Sequence, residues 1–83
     1  MPIDLEFPLA WEFRVVAEDR PETARALAVV LDRYGYAQSP VRGRASRHGK
    51  YVTYSVRVVL PSRDHLDVLA QSLSSCPGVR FLL

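Results

Sequence analysis

The chain has 83 residues, 48% of them hydrophobic, enough for one domain whose folding hides only about 60 to 65% of the unfolded surface, which argues against a large enclosed active site. Eleven basic against nine acidic residues leave a net charge of +2, too balanced to name a nucleic acid or a membrane as partner on charge alone. Cys76 is the single cysteine, which excludes an intramolecular disulfide. The opening MPIDLEFPLAWEF carries acids where a signal peptide carries bases, and no apolar run approaches the roughly 20 residues that span a bilayer, so a cytoplasmic protein is expected.

In chain order, Met1 to Pro8 holds two prolines and two acids and reads as an arm, with Phe7 as its expected anchor on the domain edge. Ala10 to Ala17 follows as a strand: Trp11, Phe13 and Val15 alternate with Glu12, Arg14 and Val16, giving one apolar and one largely polar face. Asp19 to Tyr34 changes to helical spacing, with Leu27, Val30, Leu31 and Tyr34 on one stripe. A capping box is expected at its start, Asp19 accepting from the Glu22 amide while the Glu22 side chain reaches back, and Gly35 stops the helix.

Tyr36 to Ser46 contains Pro40, Gly43, Arg42 and Arg44, features that belong on an edge strand, hairpinned through Arg47-His48-Gly49 onto its successor. That successor, Lys50 to Leu60, has the strongest alternation in the chain: Val52, Tyr54, Val56, Val58 and Leu60 face a core, while Tyr51, Thr53, Ser55 and Arg57 face away. Pro61 ends it, and Ser62 caps a second helix whose apolar stripe is Leu66, Leu69, Ala70 and Leu73. Ser74 to Gly78 breaks the helix. Val79 to Leu83 is a short final strand, with Val79 and Phe81 expected on one face and Arg80 and Leu82 on the other.

The order strand, helix, strand, strand, helix, strand implies an α+β domain over residues 1–83: a ferredoxin-like βαββαβ sandwich, its four-stranded antiparallel sheet covered on one face by two helices. The first and third strands belong at the centre. The uncovered face then displays Glu12, Arg14, Thr53, Ser55 and Arg57, with Arg80 of the last strand as a further member.

Reactive constellations are missing from this pattern. His48 and His65 have no Cys, Asp or Glu at ligand spacing, Cys76 has no His or Lys beside it to make a thiolate, and the serines read as caps and surface residues. No catalytic residue, cofactor or metal is therefore assigned. The local charge bias is Val41 to Lys50, where Arg42, Arg44, Arg47 and Lys50 occur without an acid. Usually such a run is a solvated turn; the functional reading is a finger that docks on an acidic partner or a phosphate backbone, with Tyr51 at its base. Arg14 and Arg57 on the open face are the competing candidates. RNA-recognition modules of the same fold stack bases on aromatics of the open face, and here only Tyr51 of the two central strands points that way.

The segments EFPLAWEFRVV, RPETARALAVVLDRY, SRHGKYVTYSVRV and VRFLL together resemble the YbeD-like family of small bacterial proteins, most specifically at Phe7-Pro8, Pro21-Glu22, Gly49 with Tyr51, Ser55, and Val79-Arg80. The resemblance implies a fold akin to the ACT regulatory domain, no enzyme activity, and a regulatory role sometimes linked to lipoate metabolism. Amino-acid-binding ACT domains usually carry glycine between first strand and first helix; here that turn is Ala17-Glu18-Asp19-Arg20, where side chains hold a ligand off and two acids repel a carboxylate. The expectation is a binding or regulatory module that meets a protein partner or a small ligand and admits a homodimer. The alternatives are nucleic-acid binding through the basic hairpin and an accessory subunit of an enzyme.

Overall fold

The strongest period-two patterns become the two longest strands. In a computed structural model, which describes residues 5–83, the elements are β1 (Leu9–Glu18), α1 (Pro21–Arg33), β2 (Val41–Ala45), β3 (Tyr51–Leu60), α2 (Arg63–Ser74) and β4 (Val79–Leu82). The sheet order is β2-β3-β1-β4 and every pairing is antiparallel. This is the expected ferredoxin-like arrangement. β1 and β3 pair along their whole length, from Leu9 opposite Leu60 to Glu18 opposite Tyr51. Paired residues share a face, so Phe13, Val15 and Ala17 line up with Val52, Tyr54, Val56 and Val58 beneath the helices. Leu27, Val30 and Leu31 of α1 and Leu69 and Leu73 of α2 complete the core. Each such buried side chain contributes about 1.5 to 3 kcal/mol relative to exposure. Trp11, expected in the core, is only partly buried at its margin, its ring edge-on to Phe13 with centroids 6.4 Å apart. Phe7 packs against the same core as the expected anchor, while residues 1–4 of the arm lie outside the described residues.

The start of α1 departs from the expected capping box. Arg20 takes the N-cap position with extended backbone and no side-chain cap, and Pro21 opens the helix. The Asp19 carboxylate is occupied elsewhere: Arg42 Nε donates to it at 3.0 Å, and Arg42 Nη2 donates to its second oxygen. A guanidinium offers two parallel charge-assisted bonds where a helix amide offers one neutral bond, so the longer-range partner wins. The end of α1 is as expected. Gly35 lies at φ 83°, its amide donating to Asp32 O at 3.0 Å and the Tyr36 amide to Leu31 O at 2.9 Å. Tyr34, expected on the apolar stripe, is instead 41% exposed, with its hydroxyl 3.1 Å from Ser72 Oγ.

Both edge strands differ in detail from expectation. β2 is limited to five residues, because Pro40 cannot donate to a ladder, and 36–40 run without regular structure. Its edge position stands. The register with β3 shifts between Arg42 and Ala45, and a Cβ on Gly43 would come within 2.8 Å of the Thr53 carbonyl oxygen. In β4 the expected alternation fails. Val16 faces Phe81 but Ala17 faces Val79, so Arg80 is an extra, bulged residue. Beyond the bulge the faces swap: Leu82 packs against the core and Phe81 lies on the open face, 53% exposed. Ser62 caps α2 as expected, accepting from the His65 amide. Among the described residues no helix is long and apolar enough to cross a membrane.

Candidate interaction surface

The hairpin between β2 and β3 is locked at its root. The Ser46 amide donates to Tyr51 O at 2.6 Å, and Ser46 Oγ accepts from the Tyr51 amide at 3.1 Å. Within the loop, Gly49 sits at φ 73°, a left-handed conformation that favours glycine, and its amide donates to Ser46 O at 2.9 Å. That closure pushes Arg47, His48 and Lys50 into solvent, and Arg44 on β2 is exposed as well. Among the described residues, Arg44, Arg47 and Lys50 make no ion pair.

The four hairpin cations therefore do not act as one group. Arg42 sits opposite Tyr54, on the helix side of the sheet, where it holds Asp19. The hydrogen bond from Arg42 is the main reason the Asp19 carboxyl is held below the usual carboxylate range. Arg14 and Arg57 are likewise engaged. Both grip Glu12, Arg57 Nε at 2.7 Å and Arg14 Nε at 3.1 Å, and their hydrogen bonds, the Arg57 bond first, depress the Glu12 pKa. The three side chains form an open-face triad of one carboxylate between two guanidiniums, to which β1 contributes two members and β3 the third.

Tyr51 is flanked by Lys50 of the hairpin and by Arg80 of β4. Lys50 Nζ lies 5.3 Å and Arg80 Cζ 5.6 Å from its ring centroid, within cation–π range. Arg44 lines a shallow depression beside it with Val16 and Thr53. Plain alternation already places Arg80 on the open face, but its approach to Tyr51, on a strand separated from β4 by β1, depends on the sheet order and register, which no local pattern signals. Phe81, expected inward, becomes a second open-face aromatic by the β4 bulge.

Among the described residues, reacting groups do not converge on this surface. The Cys76 thiol is buried, with Sγ 3.5 Å from Ser72 O, and burial pushes its pKa up, away from a reactive thiolate. Ser62 Oγ lies 2.8 Å from His65 Nδ1, yet that oxygen caps α2, and among the described residues no carboxylate orients the ring. No trio of His, Cys, Asp or Glu fit to hold a metal occurs among the described residues.

A two-layer βαββαβ domain with this sheet order is of the ACT-like, ferredoxin-fold class. Its backbone superposes on the solution structure of protein HP0495 from H. pylori with a TM-score of 0.84 at 18% identity, covering 99% of this chain and 88% of that one. The ACT domain of GTP pyrophosphokinase from Chlorobium tepidum matches with a TM-score of 0.66 at 19% identity, over 89% of this chain and 92% of that one. The chain belongs to the family described as protein of unknown function (DUF493), matched over residues 4–83, the YbeD-like grouping that the sequence resembles. Among similar curated proteins, a UPF0250 protein of Shewanella sp. (strain ANA-3) is 30% identical over 79 residues, covering 95% of this chain and 90% of the relative. Another, from Shewanella oneidensis, is 29% identical with the same coverage.

Proposed function

We propose that this protein is a non-enzymatic regulatory or binding module of the cytoplasm, which docks an acidic partner protein through the hairpin and the Tyr51 end of the open sheet face. One observation carries the reading: Arg44, Arg47 and Lys50 stand exposed without an acid, while Arg14, Arg42 and Arg57 are already paired. Unpaired guanidinium and ammonium groups keep their donors for a partner's carboxylates, and facing opposite charges speed encounter. The test is affinity capture from the source cell, with and without nuclease, using wild type and the Arg44→Glu, Arg47→Glu, Lys50→Glu triple variant. A nuclease-resistant partner that the variant fails to retain supports the proposal. A partner retained equally by both proteins rejects it.

Nucleic-acid binding is the second reading, favoured by a second aromatic, Phe81, on the same open face as Tyr51, since exposed aromatics amid cations suit stacked bases. Phosphate contacts by Arg44, Arg47, Lys50 and Arg80 would give log affinity a slope against log salt of about −3 to −4. Nuclease sensitivity of the capture separates the two readings. Self-association belongs to the same proposal, because β2 and β4 each have one unpaired edge to which a second copy can add. The link to lipoate metabolism implied by the family resemblance is tested by protein lipoylation levels in cells lacking the gene.

A further inference from the structure

Where the C-terminal end of α1 meets the first turns of α2, a cleft of about 190 Å³ opens between Tyr34, Tyr36, Asp64, His65, Val68 and Leu69. Buried Leu69 and half-buried Tyr36 give it an apolar floor. Gly35 reverses the chain between the two tyrosines, and Tyr34 is steadied by the contact of its hydroxyl with Ser72 Oγ. Burial raises the Tyr36 pKa, so its phenol stays neutral and the ring keeps its electron-rich face. Asp64 is the formally charged residue of this lining. The neighbouring cation is turned away from it, since Arg63 pairs with Asp67 at 3.5 Å, and among the described residues Asp64 has no ion pair. His65 is tied through Nδ1 to Ser62.

We infer that this cleft binds a small organic cation: an ammonium group set between the Asp64 carboxylate and the tyrosine rings, on a short branched apolar body that fills the slot over Leu69. The docking proposal uses the other side of the sheet and none of these residues, so either can fail without the other. Two attractions act on the same charge, an ion pair and a cation–π contact, and the volume admits a body of only about six heavy atoms at the packing density of protein interiors. The helix N-terminus beside Asp64 favours anions, which makes a carboxylate the informative competitor.

The experiment titrates the nitrogen-15-labelled full chain with isoamylammonium chloride, with isoamyl alcohol and with isocaproate, following backbone amide shifts. Saturable shifts confined to 34–36 and 64–69 are expected for the ammonium, with binding of the alcohol at least about fivefold weaker, the factor that a surface ion pair near 1 kcal/mol supplies. Asp64→Asn, an exposed change that leaves folding intact, should weaken the ammonium about fivefold and leave the alcohol unchanged. Tyr36→Leu keeps the bulk and removes the ring; it should weaken the ammonium more than the alcohol. Equal binding of ammonium and alcohol would make the cleft a merely apolar slot and overturn the inference. Tighter binding of isocaproate would make it an anion site, and the absence of any saturable shift would remove the site altogether; both outcomes also overturn it.

Discussion

At Gly43 one hydrogen atom keeps two strands together. A Cβ there would lie 2.8 Å from the Thr53 carbonyl oxygen, which is backbone and cannot rotate away, so Gly43→Ala must part β2 from β3. The expected loss is on the order of 1 to 3 kcal/mol, the range for overpacked sites, read as a lower denaturant midpoint at unchanged slope. An unchanged midpoint would show that the bulged edge yields freely. Asp19 and Arg42 make a different residue-scale prediction. Because the Arg42 hydrogen bond lowers the folded-state pKa of Asp19, the pair stabilises the fold above the unfolded carboxylate value, and that contribution is lost as pH falls through the depressed folded value. Carbon-13 titration of the Asp19 carboxyl in Arg42→Ala should show its pKa rising toward the ordinary value. The stability difference between variant and wild type should also shrink in acid. A carboxyl that titrates identically in both proteins would refute the pairing as the cause.

Among the elements, the sheet order makes amide protection uneven. β3 is bonded on both sides while β2 has a single neighbour and five residues, so native-state hydrogen exchange should be far slower across Tyr51–Leu60 than across Val41–Ala45. Faster exchange in β3 would contradict the order. The same contrast explains what could be read in advance. β1 and β3 were legible because both alternate against one another in unbroken register, so local periodicity and tertiary faces coincide. β4 was not, because a bulge at Arg80 inserts one residue and inverts every face after it, and nothing in VRFLL distinguishes that from plain alternation. The capping box failed for a related reason. Asp19 and Glu22 satisfy the local pattern, but the residue that captures Asp19 lies 23 positions away, beyond any local rule. Arg44, Arg47 and Lys50 were legible as a set because an acid-free run on a turn is a local property, whereas the meeting of Lys50 and Arg80 over Tyr51 depends on strand order.

For the whole molecule the question is whether stability and binding occupy different places. The core is formed by β1, β3 and one face of each helix, whereas the exposed cations of the hairpin contribute neither packing nor an ion pair to it. Reversing Arg44, Arg47 and Lys50 to Glu should therefore change the unfolding free energy by roughly 0.5 kcal/mol per site or less, as surface substitutions away from caps and cores do. Lys50 is the exception to watch: its ammonium over Tyr51 and its carbonyl, which accepts from the Asp19 amide at 3.0 Å, tie it to the frame, but the carbonyl survives any side-chain change. Association with an acidic partner should respond far more, because each reversal exchanges an attraction for a repulsion and lowers the on-rate most where screening is weakest. The comparison surface is the Arg14–Glu12–Arg57 triad. There Arg14→Glu with Arg57→Glu sets three carboxylates side by side, which should cost local order while leaving the hairpin contact intact. Loss of binding in the hairpin variant at preserved melting temperature, with binding kept in the triad variant, assigns the contact to the hairpin. The reverse pattern moves it to the open face, and unchanged affinity in both leaves the hairpin as a solvated turn.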